Sequence, residues 1–137
     1  MSTKNNNLTI ATVMIPIGAF PVVTEQTILK EALEEMDNFH LGVACVVSNE
    51  SNLLGILTDG DIRRKLLSVQ KPLSAFFIDD AMEHAIVNPI VISPSHSLYE
   101  AVVLMDNKRV WDLPVVDNNK LVGLLHLHPV VDALLSR

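Results

Sequence analysis

The chain carries one cysteine, Cys45, among its 137 residues. That excludes an internal disulfide, and a thiol set in an apolar run suits a reducing compartment such as the cytoplasm. Glycine is scarce, at five residues, and none belongs to a glycine-rich phosphate loop of the Walker or dinucleotide-binding type. Basic residues are few, ten against sixteen acidic ones, for a net charge of −6. A surface short of positive charge argues against nucleic acid as a partner. Long apolar runs are missing as well. The longest nearly unbroken stretch, around Val43–Val47, is about seven residues, where a membrane helix needs roughly 20. The leading residues, Met1-Ser2-Thr3-Lys4 and three asparagines, lack the apolar centre of a secretory signal. No nucleophile–base–orienter set is visible, so the chain alone is not expected to be an enzyme. What remains is 49% apolar and 19% charged, a globular composition. The length fits one domain, or two very small ones sharing a core.

The chain repeats itself. Met14 and Pro21 match Met82 and Pro89 at an offset of 68. Ala32, Met36, Val46 and Val47 match Ala101, Met105, Val115 and Val116 at 69, and Gly55 matches Gly123 at 68. The organisation read from this is a flexible leader over 1–8, repeats over 9–68 and 77–137, and a linker over 69–76. Each repeat reads as β-α-β-β-α. Short strands are expected at Val22-Val23 and at 90–92. Helices follow in which Leu29, Ala32, Leu33 and Met36, then Leu98, Ala101, Val102 and Met105, fall at i, i+3, i+4, i+7. Ser97 and Glu100 have capping-box spacing. Strands at 43–47 and 53–57, and at 113–116 and 121–125, are separated by turn-formers. Helices over 62–67 and 130–135 close the repeats. A single repeat would bury too little surface to stand comfortably alone. Two of them packed sheet to sheet give an α/β (α+β) fold with pseudo-two-fold symmetry. Clefts between repeats are common ligand sites.

The stretch Gly55-Ile56-Leu57-Thr58-Asp59-Gly60-Asp61-Ile62-Arg63-Arg64 runs from a buried strand straight into a helix. A helix start offers free N–H groups and the positive end of the dipole, a seat for phosphate. Thr58 adds a hydroxyl, and Asp61 adds a carboxylate that can accept from both hydroxyls of a ribose. The competing reading is plain helix capping by Thr58, Asp59 or Asp61. The cluster Arg63-Arg64-Lys65 reads either as a solvated face or as one arginine, Arg64, reaching a ligand anion.

The duplicated unit, with Gly-x-x-Thr-x-x-Asp leaving its third strand, resembles a pair of cystathionine-β-synthase (CBS) domains, a Bateman module, over nearly the whole chain. Taken with Gly123-Leu124-Leu125-His126-Leu127-His128, it is similar to the C-terminal CBS pair of arabinose-5-phosphate isomerases, which feed the synthesis of the sugar acid Kdo. The Thr-Asp-Gly-Asp-Ile-Arg-Arg string also occurs in CBS pairs attached to sugar nucleotidyltransferases. The resemblance implies a sensor that binds a nucleotide or nucleotide sugar between the repeats and dimerises into a disc of four units. It assigns phosphate and ribose to Thr58 and Asp61. It lines the base pocket with main chain around Val43 and Ala44, and closes it with the segment 15–19, beginning with Ile15 and Pro16. The effector it implies is of the AMP/ATP type, or the pathway's end product CMP-Kdo. It implies no required cofactor, with a homodimer and a sugar isomerase domain as partners; no metal is expected, and the short apolar runs argue against a membrane.

The second repeat departs from the pattern. His126 and Pro129 stand where Thr58 and Asp61 stand in the first. Proline suits a helix's first turn, so the fold should survive while the ribose acceptor is lost. His126 and His128, read as alternating along a strand end, would point the same way, toward ligand, backbone, or a metal with His96 or Asp132 as a third group. Trp111 is either a stacking platform or a buried or dimer-contact residue. His40 and His84 read as surface histidines, and Met14, Met36, Met82 and Met105 as repeat-equivalent core. The opposing view of the whole chain is a dimerisation scaffold that binds nothing.

Overall fold

The computed structural model describes residues 8–136. The mixed α/β class expected from the sequence is the one adopted. The chain forms two compact units. One runs from Gly18 to Pro89; the other joins the residues up to Ile17 with those from Ile90 onward.

The Gly18–Pro89 unit is built on strands β2 (Val22–Thr24), β3 (Val43–Val47), β4 (Leu53–Thr58) and β5 (Ile86–Val87), in that order across the sheet. Every residue of β3 is buried, which suits an inner strand rich in valine. Strand β2 pairs with it in parallel, a geometry that needs a crossover, and helix α2 (Leu29–Phe39) supplies one. Leu29, Ala32 and Met36 are the buried stripe of α2, as their spacing predicts. They meet Ala44, Val46 and Leu57 from the sheet, Ile62 from α3 (Asp59–Ser68), Phe76 from α4 (Leu73–Phe77) and Ala81 from α5 (Ala81–His84). The segment read as a linker is therefore partly helix. Phe76 is only 1% exposed, and burying such a side chain stabilises by roughly 1.5–3 kcal/mol. Proline and serine signalled a loop, but the two phenylalanines decide the outcome.

The other unit has the sheet order β1-β7-β6, from Ile15–Pro16, Lys120–His126 and Asp112–Asp117. Helices α1 (Ile10–Val13), α6 (Leu98–Lys108) and α7 (Leu127–Leu135) pack on it. Leu98, Ala101 and Met105 are buried with Leu113, Val115, Leu125 and Val130. The capping box at the start of α6 is formed: the Glu100 amide donates to Ser97 Oγ at 3.1 Å, and the Ser97 amide donates to Glu100 Oε1 at 3.3 Å. The strand expected over 90–92 shrinks to one parallel bridge, Ile92 with Val115. It sits where β2 lies on β3, beside an equivalent bulge between Val115 and Val116.

Each unit draws on both sequence repeats. Strand β1, which leads the first repeat, pairs with β7 of the second; β5, which leads the second, pairs with β4 of the first. Backbone bonds fix both exchanges in the same way. The Leu98 amide donates to Leu8 O at 2.9 Å, and the Leu29 amide donates to Asp79 O at 2.8 Å. A carbonyl from the other repeat thus satisfies an orphan amide at the start of each long helix. Leu8, placed in the leader from sequence, belongs to this arrangement; the rest of the leader lies outside the described residues. The exchange also corrects the repeat alignment. Ile15 and Ile86 hold equivalent places opposite Leu124 and Ile56, three residues out of step with the Met14–Met82 match. Met14 and Met82 are only half-buried, yet each packs beside an equivalent glycine, Gly123 and Gly55. A Cβ on Gly55 would come within 2.9 Å of Ile86 O. Among the described residues, no helix is long and apolar enough to cross a membrane.

Candidate functional site

Strand β4 ends on Thr58, whose extended backbone turns directly into α3. Two bonds lock the turn. The Asp61 amide donates to Thr58 Oγ1 at 3.2 Å, and the Thr58 hydroxyl donates to Asp61 Oδ2 at 2.7 Å. Thr58 is therefore a helix cap, as the bland reading of the sequence held. The same bonds also present Asp61's carboxylate at the start of the helix, at the positive end of its dipole. Its other oxygen, Oδ1, accepts from Arg64 Nη2 at 2.7 Å. Asp61's side chain is 15% exposed and Arg64's 63%. Hence Arg64 of the basic cluster is tied to the helix start, while Arg63 makes no such bond.

Across the sheet, Val43 is the register partner of Thr58, and Ala44 that of Leu57. Both side chains are fully buried, so only their main chain can face a ligand. Asp59 is exposed, and its amide donates to Gly42 O at 3.0 Å. Gly42 lets it sit there: a Cβ at that position would lie 2.6 Å from Asp59 Oδ2. Five of the residues singled out from sequence (Thr58, Asp59, Asp61, Arg64 and Val43) thus converge on one junction, with Ala44 one step further in.

Ile15, Pro16, His126 and His128 belong to the other unit. Ile15 and Pro16 form β1 against Leu124 and Gly123. His126 ends β7 and stands before α7, in the place of Thr58, yet makes no capping bond. Pro129 is the third helical residue, as Asp61 is in α3. It has no N–H, so the donor that Thr58 caps does not exist here. His126 instead turns to its cross-strand neighbour, with Nδ1 2.7 Å from Asp112 Oδ1. Burial pushes the Asp112 carboxyl above its usual value, and His126 offsets part of that. The reading of His126 and His128 as alternating strand residues is corrected. His128 lies in the first turn of α7, 81% exposed, with Nε2 3.9 Å from Asp132 Oδ2. A helix has a different period from a strand, so the two rings do not share a direction. His96 pairs loosely with Glu100. Trp111 is 69% exposed, and its carbonyl accepts from the Leu127 amide at 2.9 Å, as Gly42's does from Asp59.

Two features escaped the sequence reading. Asp112 occupies the place of Val43, visible only once the repeats are aligned at 69 and compared for polarity rather than likeness. His84 is buried rather than on the surface, its ring 4.5 Å from that of Phe76. Its Nε2 lies 2.9 Å from Asp79 Oδ2, which also accepts from Lys71 Nζ at 2.8 Å. Lys71, and then His84, hold the Asp79 carboxyl below its usual value, while Asp79 raises Lys71. Asp79, Glu83 and His84 are the one group of three metal-ligating side chains brought together among the described residues. The lysine ammonium already neutralises its carboxylate, so this cluster reads as an ion-pair network.

Comparison with known proteins adds the following. The CBS domain family model matches residues 10–68 and 78–136. The uncharacterized protein RP505 of Rickettsia prowazekii is 33% identical over 130 residues, which cover 94% of this chain and 39% of that protein. The arabinose 5-phosphate isomerase KdsD of Yersinia pestis is 29% identical over 126 residues, 92% of this chain and 37% of the enzyme. The chain therefore spans about two-fifths of the length of these curated relatives. Among solved structures, CBSX2 in complex with AMP superposes with a TM-score of 0.82 at 28% identity, covering 94% of this chain and 97% of that one.

Proposed function

The chain belongs to the CBS-domain family, and from that premise we propose that it is a regulatory pair that senses a nucleotide or nucleotide sugar, with the ligand seated at the β4–α3 junction. The observation that carries this reading is the Thr58–Asp61 pair at the start of α3. A largely enclosed, acceptor-only carboxylate at the positive end of a helix suits a ribose and a phosphate together. The Val43 and Ala44 main chain lies alongside for the base. The AMP complex of CBSX2 supports an adenine nucleotide; the isomerase relatives support CMP-Kdo, the end product of the pathway. Either ligand presents the ribose that Asp61 would accept. The output in this reading is control of a sugar-phosphate isomerase domain or partner, since the relatives extend well beyond the matched region. A ligand transmits a signal only if it binds two packings of the pair with different affinity.

The test is thermal unfolding of the chain against AMP, ADP, ATP, S-adenosylmethionine, CMP, CMP-Kdo and arabinose 5-phosphate. A ligand at a hundredfold excess over Kd stabilises the folded state by roughly 2.7 kcal/mol. A shift with one class that disappears in Asp61→Ala supports the reading. The scaffold reading, favoured by Pro129 in the place of an acceptor, predicts no shift with any of them.

A further inference from the structure

Asp61 has two carboxylate oxygens, and the chain's own donors hold both. Thr58 takes Oδ2 and Arg64 takes Oδ1, each at 2.7 Å. The two donors differ in kind. Thr58 is fixed by the strand end and by its capping bond. Arg64 hangs from the second turn of α3 on a flexible stem, largely in solvent. Its guanidinium lies over Gly60, where a Cβ would be 3.3 Å from both terminal nitrogens. It therefore rests against the first turn of the helix, at the dipole end that favours an anion.

We propose that Arg64 makes this junction select phosphorylated nucleosides over nucleosides, by exchanging Asp61 Oδ1 for the ligand's phosphate. This inference rests on the nucleotide reading above. A ribose diol needs the outward side of Asp61, and Arg64 stands on it. A nucleoside must evict the guanidinium and leaves it with water alone. A nucleotide evicts it too, but offers in return a tetrahedral phosphate whose oxygens can accept both arms of the planar guanidinium. The exchange charges the ligand without a phosphate for displacing an ion pair and returns nothing, whereas the phosphorylated ligand trades one ion pair for another. The second unit carries no such device: Asp132 occupies the place of Arg64 and His128 that of Gly60.

The test compares AMP with adenosine, and CMP with cytidine, by titration calorimetry on the full chain as wild type, Arg64→Met and Arg64→Lys. Wild type is expected to prefer the nucleotide by at least roughly tenfold. In Arg64→Met the nucleotide should lose most of that margin, while the nucleoside binds unchanged or a few-fold tighter, because its competitor is gone. Arg64→Lys should fall between, as a point charge without the fork. Melting curves and circular dichroism of both variants should match wild type, since the side chain is mostly exposed. Equal loss for nucleotide and nucleoside in Arg64→Met would overturn the exchange and make Arg64 a support for Asp61. An unchanged ratio would overturn it as well. If neither member of either pair binds wild type, this inference falls together with the nucleotide reading. If nucleotides bind and the ratio survives the methionine, this inference alone falls.

Discussion

At the first strand-to-helix junction, Thr58 turns back on its own helix and holds Asp61. At the second, His126 turns away from its helix and holds Asp112 on the neighbouring strand. The backbones correspond closely, down to the bonds from Asp59 to Gly42 and from Leu127 to Trp111. Three replacements make the divergence: His126 for Thr58, Pro129 for Asp61 and Asp112 for Val43. Pro129 removes the amide that a capping hydroxyl would accept, and with no donor to cap, the residue in Thr58's place is free to serve another element. The carboxylate has moved as well, from the helix start to the buried strand position that Val43 holds in the first unit. The first junction thus keeps its carboxylate at the helix start, paired with an arginine, and the second keeps its carboxylate on the neighbouring strand, paired with a histidine. Duplicated folds can preserve a turn while exchanging its chemistry, because backbone bonds hold the turn and side chains hold the chemistry.

The largest effect that would break this comparison is expected at the second junction. His126→Ala strips the donor from a carboxylate whose side chain is only 15% exposed, which costs roughly 1–3 kcal/mol. The loss should depend on pH. Burial raises the folded-state value of Asp112 above the ordinary 3.8 and His126 pulls it back. A carboxyl with a raised value contributes stability that is full below the unfolded value and is lost as pH rises through the folded one. Without His126 the rise is larger, so variant and wild type should converge in acid and separate as pH rises, read by chemical denaturation at several pH values. Separation independent of pH would mean that His126 supports packing and not Asp112.

Thr58→Ala comes next, at about 1 kcal/mol for a lost N-cap. Thr58→Ser should recover most of it, because the hydroxyl does the capping. Pro129→Ala should cost a little less, about 0.4–1 kcal/mol, by freeing the unfolded chain and restoring an amide that nothing caps. If Pro129→Ala were instead stabilising, His126 would have rotated to cap the new amide, and the Asp112 bond would be the weaker attraction. Denaturant midpoints distinguish these outcomes.

Much of this contrast could be read before the structure was known, and the rest could not, for physical reasons. Apolar spacing found both long helices, because a buried stripe leaves a period in the sequence: Leu29, Ala32 and Met36, then Leu98, Ala101 and Met105. The junction at Thr58 was legible because its residues lie within a few positions of one another. Asp112 with His126 was not, since the pair is formed by strand register between residues fourteen apart. The exchange of β1 and β5 between the sequence repeats was hidden for a similar reason. Two-residue strands have no period, and the Met14–Met82 match pointed to an alignment that the sheet pairing does not follow. His84 was misplaced because its burial under Phe76 comes from a helix in a stretch rich in loop-forming residues.

The smallest expected effect sharpens the comparison most directly. Gly42 and Trp111 occupy the same place, one the smallest residue and the other the largest, and each accepts the first amide of the following helix. The backbone there cannot itself demand glycine, since the second unit carries tryptophan. What glycine accommodates is Asp59, whose Oδ2 would lie 2.6 Å from an added Cβ. Asp59 is exposed and its carboxylate is the far end of a rotatable side chain, so it can swing aside. Gly42→Ala should therefore melt close to wild type, within about 0.5 kcal/mol. It should leave the Thr58–Asp61 bonds intact, because they do not pass through Asp59. A loss well above about 1 kcal/mol, removed again by Asp59→Ala in the same chain, would show that the Asp59 carboxylate is held in place. Gly42 would then be part of how the first junction, and not the second, shapes its helix start.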